Sequence, residues 1–258
     1  MKDSRKNVAR YYDVGTTRTN DIGFYMKHIP YSDPTILELG CGTGRVLIPL
    51  CQHCDFIVGV DNSRSMLDLC EEKLHRTHSL KNNVELIFED IASFNLQKKF
   101  GLITAPFRVF QNIDTDEKVD AFFCSIHRHL SPSGSCILNV FRPNASRQDL
   151  LEGWGGDEEV LSWEKPLGSG LLRHYFTQKK VKRSPLTLYP ELIYKYFENE
   201  ELIDEESFVV PMRVYYADEF MEVIRNYGFD VVDTWGGYDE EAYGEGPELV
   251  VKFKKRSG

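Results

Sequence analysis

Short apolar runs alternate with amphipathic stretches through the first half of the chain. The runs at 36–39, 56–61, 84–88, 100–104 and 135–141 have the length of buried strands. Between them, apolar residues recur at helical spacing, as at Met66, Leu67, Cys70 and Leu74, and a helix with Thr115 as its N-cap follows the fourth run. Alternating strands and helices of this kind predict an α/β fold with a doubly wound, mostly parallel, seven-stranded sheet.

The pattern changes over residues 142–216. Helical periodicity disappears there, and aromatic runs are punctuated by glycine and proline, which predicts an inserted antiparallel β subdomain. A turn is predicted at 131–134, before the fifth strand. After the insertion, the core resumes with a helix that Gly228 ends and with strands at 229–235 and 249–253.

These patterns divide the chain into three parts. They predict an N-terminal helical arm over residues 1–34, a core formed by residues 35–141 and 217–258, and an insertion over residues 142–216. The arm carries Tyr11, Tyr12 and Tyr25. Two interpretations of it stay open: a loosely packed extension, or a cap with tyrosines at the mouth of a site.

The first strand runs directly into a glycine-rich turn, Glu38-Leu-Gly40-Cys-Gly42-Thr-Gly44-Arg. Glycine allows positive φ and close backbone approach to a ligand, and a helix start presents free N–H groups. The turn therefore predicts a nucleotide-type site at the carboxyl end of a parallel strand.

Other strand ends carry polar residues that meet at the same edge of the sheet. Asp61 ends the second strand about twenty residues after the turn, where a Rossmann-like fold places a ribose-binding carboxylate; the alternative is a helix N-cap. Asp90 ends the third strand, and its carboxylate is expected to accept the adenine amino group. Met66 is expected either to touch an adenine ring or to be part of the core.

Composition limits the classes of partner. A net charge of −9 and a pI near 5.3 argue against nucleic acid. The chain has no apolar run long enough for a bilayer and no apolar signal core at its start, so we expect no membrane partner and a cytoplasmic protein. Its six cysteines are then expected to be free thiols, and no metal is predicted. A zinc site at Cys51 and Cys54, with Cys70, His75 and His78, is the less favoured alternative.

The glycine turn resembles motif I of the class I S-adenosylmethionine (SAM)-dependent methyltransferases. Its Gly40-x-Gly42-x-Gly44 spacing is one residue shorter than the dinucleotide fingerprint. The resemblance covers residues 36–141 and 213–254. The insertion is similar, more loosely, to that of small-molecule N-methyltransferases such as the sugar N,N-dimethyltransferases and glycine N-methyltransferase.

The resemblance implies SAM as the cofactor, S-adenosylhomocysteine as the product, and a set of site residues. The implied cofactor-binding residues are Tyr12, Glu38, Gly40, Cys41, Gly42, Gly44, Asp61, Asn62, Met66, Asp90, Ile91 and Pro106. The segment after the fourth strand is expected to bind the acceptor through Phe107, Arg108, Phe110 and Gln111. The alternative for this segment is two core phenylalanines and a surface ion pair. No catalytic base is identified.

Three functions remain open. The first is methyl transfer from SAM to a nitrogen or oxygen of a small molecule by in-line displacement, with residues 142–216 covering the sulfonium side. The second is a non-catalytic SAM-binding protein, since fold does not dictate function. The third is an NAD-dependent oxidoreductase, against which the short glycine spacing argues.

Overall fold

A computed structural model describes residues 3, 5–15, 20–76 and 83–256. The central sheet has seven strands: β1 (Thr35–Leu39), β2 (Phe56–Asp61), β3 (Val84–Phe88), β4 (Phe100–Ala105), β5 (Leu130–Phe141), β11 (Phe229–Trp235) and β12 (Glu248–Lys255). Their order in the sheet is β11-β12-β5-β4-β1-β2-β3. Neighbours from β5 to β3 pair in parallel, and β12 is antiparallel to both β5 and β11.

Helices pack against both faces of this sheet. The described helices are α1 (Ala9–Gly15), α2 (Asn20–Lys27), α3 (Leu47–Leu50), α4 (Arg64–Arg76), α5 (Asp116–His129), α6 (Arg147–Gly153), α7 (Ala217–Asn226) and a 3₁₀ helix (Val109–Asn112). The apolar faces of α5 and α7 meet in one large cluster with Phe110 and the inner strands. The Thr115 hydroxyl accepts a hydrogen bond from the Lys118 amide, which confirms the predicted N-cap of α5. The predicted fold class is confirmed.

The predicted insertion is a second, antiparallel sheet. It comprises β6 (Val160–Leu167), β7 (Gly170–Lys182), β8 (Thr187–Glu198), β9 (Glu201–Val209) and β10 (Met212–Arg213), with β8 beside β7, β9 and β10. One expectation was wrong, because helical structure does not disappear here: α6 lies within the insertion. The Ser146 hydroxyl caps it, and the Asp149 carboxylate accepts from the Ser146 amide. That capping box was a readable signal in the sequence.

The turn predicted at 131–134 is also corrected. Strand β5 starts at Leu130, before that segment. Its pairing with β4 steps from Phe100–Leu130 to Leu102–Ser135, so the intervening residues form an irregularity within the strand. The Pro-Ser-Gly signal therefore marks extra residues in a paired strand instead of a break between elements.

The N-terminal arm packs on both sheets. Val8 and Tyr11 are buried against the insertion, in a cluster with Leu172, Tyr194 and Phe208. The second helix of the arm buries Phe24 and Tyr25 against the central sheet. The described part of the arm therefore bridges the core and the insertion.

Candidate functional site

Two adjoining cavities, of about 310 Å³ and about 290 Å³, lie at the carboxyl edge of the parallel strands. We call the first the inner cavity and the second the outer cavity. They share six lining residues: Arg5, Gly40, Val109, Asn112, Phe208 and Val210. The glycine turn, the end of β2, the end of β3 and the segment after β4 thus meet at one cleft.

The glycine turn allows the segment after β4 to approach it closely. Gly40, Gly42 and Gly44 all have positive φ, at +69°, +54° and +81°. A Cβ on Gly40 would lie 2.6 Å from the Val109 side chain, and one on Gly44 would lie 2.5 Å from Cys70 Sγ. A Cβ on Gly42, in contrast, would meet open space. Gly40 and Gly42 line the outer cavity; Gly44 serves packing and does not line either cavity.

Asp61 ties the glycine turn to the end of β2. Its buried carboxylate accepts from the Gly42 amide at 2.8 Å and from the Ser63 amide at 2.9 Å. The hydroxyl of Ser63, in turn, accepts from the Met66 amide and caps α4. Asp61 lines the inner cavity. Each carboxylate oxygen keeps a further lone pair for a ligand hydroxyl.

The rest of the inner cavity contains the expected adenine-side residues. Asn62, Asp90 and Ile91 line it. The Asp90 carboxylate accepts from the Ala92 amide at 2.9 Å, which orients its side chain within the loop after β3. Met66 is 1% exposed and lines the outer cavity, and its expected contact with adenine stays a prediction.

Glu38 is a buried acid with an unsatisfied oxygen. Its carboxylate lines the outer cavity, and its Oε2 atom has no hydrogen-bond partner. Burial, together with the negative charges of Asp21 and Asp61, raises the pKa of Glu38 to about 8, although the Arg45 guanidinium opposes the shift. Arg45 itself is held by Asp21 through two hydrogen bonds, so it cannot fully neutralise Glu38.

The described part of the arm fastens to two loops of the cleft. The Thr43 hydroxyl donates to Asp13 at 2.6 Å, and Lys73 pairs with the same carboxylate at 2.6 Å. Asp3 accepts from the Ser63 hydroxyl and from the Ser65 amide at the start of α4. Tyr12, from the same arm, lines the outer cavity. Sequence reasoning identified Tyr12 but missed both aspartates, which carry no motif.

The insertion forms the opposite wall of the outer cavity. Its lining residues there are all apolar: Pro190, Leu192, Phe208, Val210 and Met212. The sequence predicted that this part would cover the cleft but identified none of these residues. Because successive side chains of a strand point to opposite faces, the alternation along β8 and β9 indicates which residues share one face of the inserted sheet. It does not indicate that this face lies against the cleft.

The segment after β4 splits into two groups. Pro106, Phe107 and Arg108 line the outer cavity, and the Phe107 side chain is 50% exposed. Arg108 is also paired with Glu248, as the surface ion-pair alternative proposed, although Glu248 is buried.

Phe110 and Gln111 do not reach the cleft. Phe110 is buried with its ring stacked on Tyr215 at 5.3 Å between centroids. The Gln111 amide donates to the Arg213 carbonyl at 2.7 Å, and its oxygen accepts from the Phe141 amide at 2.8 Å. The expected acceptor contacts of both residues are therefore corrected to structural roles, because one 3₁₀ turn rotates them away from the cavity.

Cys41 and Cys51 are both buried. Burial raises the pKa of the Cys41 thiol, although Cys41 lines the outer cavity at the glycine turn. Cys51 donates to the Ile48 carbonyl. Among the described residues there is no group of three or more His, Cys, Asp or Glu side chains that could hold a metal ion. His78, named in the zinc alternative, lies outside the described residues.

Among the helices that the structure describes, none is long and apolar enough to cross a bilayer.

Comparison with known proteins agrees with this geometry. Residues 36–134 match the family model described as "Methyltransferase domain". The cypemycin N-terminal methyltransferase of Streptomyces sp is 29% identical over 147 residues, which cover 57% of this chain and 55% of that protein. The chain thus spans about half the length of this curated relative. The resemblance drawn from the glycine turn is confirmed.

Solved structures show the same fold over nearly the whole chain. The CcbJ methyltransferase from Streptomyces caelestis has a TM-score of 0.77 at 20% identity and covers 99% of this chain and 97% of its own. The sugar N-methyltransferase KedS8 from Streptoalloteichus sp has a TM-score of 0.74 at 15% identity, with 100% and 96% covered. At such identities the likeness concerns the fold, including the inserted sheet.

Gln111→Ala tests the structural role of that side chain. The change leaves the Phe141 amide and the Arg213 carbonyl without their partner, so we expect the free energy of unfolding to fall by about 2 kcal/mol. Urea denaturation measures it, with Gln148→Ala on the exposed face of α6 as the control. If Gln111→Ala is as stable as the wild type, the structural role of the Gln111 side chain is wrong, and its expected contact with the acceptor stands again.

Glu38→Gln tests the buried acid. Because the pKa of Glu38 is raised from 4.5 to about 8, the folded state retains a proton that the unfolded state has lost. Glu38 therefore makes the wild type lose stability as the pH rises from about 4.5 to about 8. We expect unfolding curves at pH 5, 7 and 9 to show that the free energy of unfolding of Glu38→Gln, relative to that of the wild type, rises by at least about 1 kcal/mol over this range. Exposed Glu222→Gln is the control. Parallel pH profiles for Glu38→Gln and the wild type would contradict the assignment.

Proposed function

We propose that this chain, whose residues 36–134 match a methyltransferase-domain model, transfers a methyl group from SAM to a small-molecule acceptor by in-line displacement. The observation that carries the proposal is the pair of joined cavities. One is lined by strand-end carboxylates, and the other lies between the glycine turn and an apolar wall from the insertion.

The cleft residues fit SAM. Asp61 and Asp90 line the inner cavity, where carboxylates suit ribose hydroxyls and an adenine amino group. The unpartnered Oε2 atom of Glu38 suits a cationic group in the outer cavity, and the open space beside Gly42 admits a ligand close to the backbone. SAM, when bound, supplies a methyl group on a sulfonium that is already activated for attack.

The remaining work of the chain is to orient the reactants and exclude water. Proximity and orientation lower the barrier of a two-reactant step by several kcal/mol. The apolar wall built by Leu192, Phe208 and Met212 suits the part of an acceptor that carries no charge. Arg5 and Tyr12 of the arm line the same cleft, and in this proposal they help to exclude water from it.

The set of side chains in the cleft that could act as a base favours an amine acceptor. An amine needs only to arrive deprotonated, whereas a hydroxyl needs a positioned base. Among the described residues that line the outer cavity there is no histidine, and the one carboxylate there, Glu38, is assigned above to a cationic group of SAM. The similarity of the fold to a sugar N-methyltransferase is consistent with a nitrogen nucleophile but does not identify it.

The first test concerns the cofactor and the reaction. S-Adenosylhomocysteine should raise the melting temperature and NAD should not, because a ligand of the native state stabilises it by mass action. Incubation with SAM and a panel of primary and secondary amines should then release S-adenosylhomocysteine. Stabilisation by NAD alone would overturn the proposal. Binding without turnover on amines or hydroxyls would favour a non-catalytic SAM-binding protein.

Leu192→Glu tests the role of the insertion wall. A carboxylate at this position places an unpaired charge against the acceptor, so we expect turnover to fall at least about tenfold, equivalent to about 1.4 kcal/mol. The thermal shift with S-adenosylhomocysteine should persist. Leu202→Glu, on the exposed part of β9, is the matched control. Equal loss of binding and turnover in a folded Leu192→Glu protein would count against a separate acceptor side.

A further inference from the structure

Two successive residues in the wall of the outer cavity have left-handed backbone conformations without being glycine. Phe107 has φ +58° and Arg108 has φ +65°. Such values are uncommon for residues with bulky side chains, and they persist only where surrounding contacts impose them. The turn that follows β4 is therefore strained, and something must hold it.

The holding contacts come from β5 and β12. The Arg108 amide donates to Asn139 Oδ1 at 3.1 Å. The Arg108 guanidinium donates from Nε to both carboxylate oxygens of Glu248, each at 3.1 Å, and its terminal nitrogen also contacts Glu248. The Asn139 amide donates to Glu248 Oε2 at 3.0 Å, which closes the group. We call Arg108, Asn139 and Glu248 the clamp.

Burial makes the clamp specific. Glu248 is 3% exposed and Asn139 is 1% exposed. A buried carboxylate that is satisfied by a bidentate guanidinium has few alternative partners, so its geometry is well determined. Glu248 is the first residue of β12, which pairs with β5 beside Asn139. The sheet itself thus places the carboxylate.

The strained turn presents two side chains to the cleft. Phe107 is half-exposed in the wall of the outer cavity, with the Arg45 guanidinium 5.6 Å from the centre of its ring. Val109, one residue further along, occupies the space that a Cβ of Gly40 would fill. A change in the backbone at 107–108 would move both side chains, and with them the shape of the cavity.

We propose that Glu248 is a positioning residue, which acts through Arg108 to hold the turn that sets Phe107 and Val109 in the wall of the cleft. The importance of this for catalysis rests on the function proposed above. The physical claim, that Glu248 maintains the strained turn, does not depend on that function. No ligand contact by Glu248 is required.

The test uses the full chain and measures the turn directly. Hydrogen–deuterium exchange of a peptide covering residues 104–113 should be at least tenfold faster in Glu248→Gln than in the wild type, with other core peptides unchanged. Calorimetry should show the Kd for S-adenosylhomocysteine rising about fivefold. Asp230→Asn is the control, because it removes the carboxylate of an exposed ion pair between Asp230 of β11 and Arg256. This variant should change neither the exchange at 104–113 nor the Kd. Unchanged exchange at 104–113 in a folded Glu248→Gln protein would overturn the proposal.

A second pair of variants separates strain from mere loss of an ion pair. Arg108→Ala and Arg108→Gly both remove the guanidinium and leave Glu248 with only the Asn139 hydrogen bond, but only glycine adopts positive φ without strain. Exchange at 104–113 should therefore be several-fold slower in Arg108→Gly than in Arg108→Ala, and the Kd for S-adenosylhomocysteine lower. Equal exchange in the two variants would contradict the clamp. This pair also decides the question if Glu248→Gln does not fold.

The two proposals fail in different ways. A wild-type protein that does not bind S-adenosylhomocysteine would defeat the proposed function, while the exchange measurements would still judge the clamp. If S-adenosylhomocysteine binds normally and Glu248→Gln leaves the exchange at 104–113 unchanged, only the clamp proposal fails.

Discussion

The cleft depends on the close approach of two backbone turns. Gly40 carries no side chain, so Val109 packs where a Cβ would be, 2.6 Å from its position. This contact brings the turn after β1 against the turn after β4, and the two cavities form on either side of it. Asp61 then ties the glycine turn to β2 through the Gly42 amide. A larger residue at Gly40 would separate the turns whatever the rest of the sheet did.

Buried charge surrounds this contact. Arg45, which lines the outer cavity, pairs with Asp21, and the charge of Glu38 stays only partly compensated, which is why burial raises the pKa of Glu38 to about 8. On the other side, Glu248 is fully engaged with Arg108 and Asn139. One acid therefore has an oxygen left for a ligand, and the other has its hydrogen-bonding capacity used by the turn. The difference between them lies in their partners, because both are almost completely buried.

The patterns predicted the central fold well, because strand and helix periodicity reflect burial on a sheet and its flanking helices. They failed where a local signal met a tertiary constraint. Residues 131–134 have turn chemistry yet lie within β5, since β4 pairs with the strand on both sides of them. Gln111 lies in the predicted segment at the correct sheet edge, but a single 3₁₀ turn directs its amide to the backbone of Phe141 and Arg213. The helix α6 lies in a segment where the residue pattern shows no helical periodicity, and only its capping box indicates it.

For this protein, the sequence by itself determined the alternation of strands and helices in the core, the glycine turn, and the strand ends that carry Asp61 and Asp90, since each depends on residues close together along the chain. The tertiary structure alone decided which distant residues complete the cleft. Asp13 reaches Thr43, Leu192 and Met212 form the facing wall, and Glu248 joins Arg108 across 140 positions. Contacts of this kind follow from sheet pairing and packing, which no local pattern of residue types records.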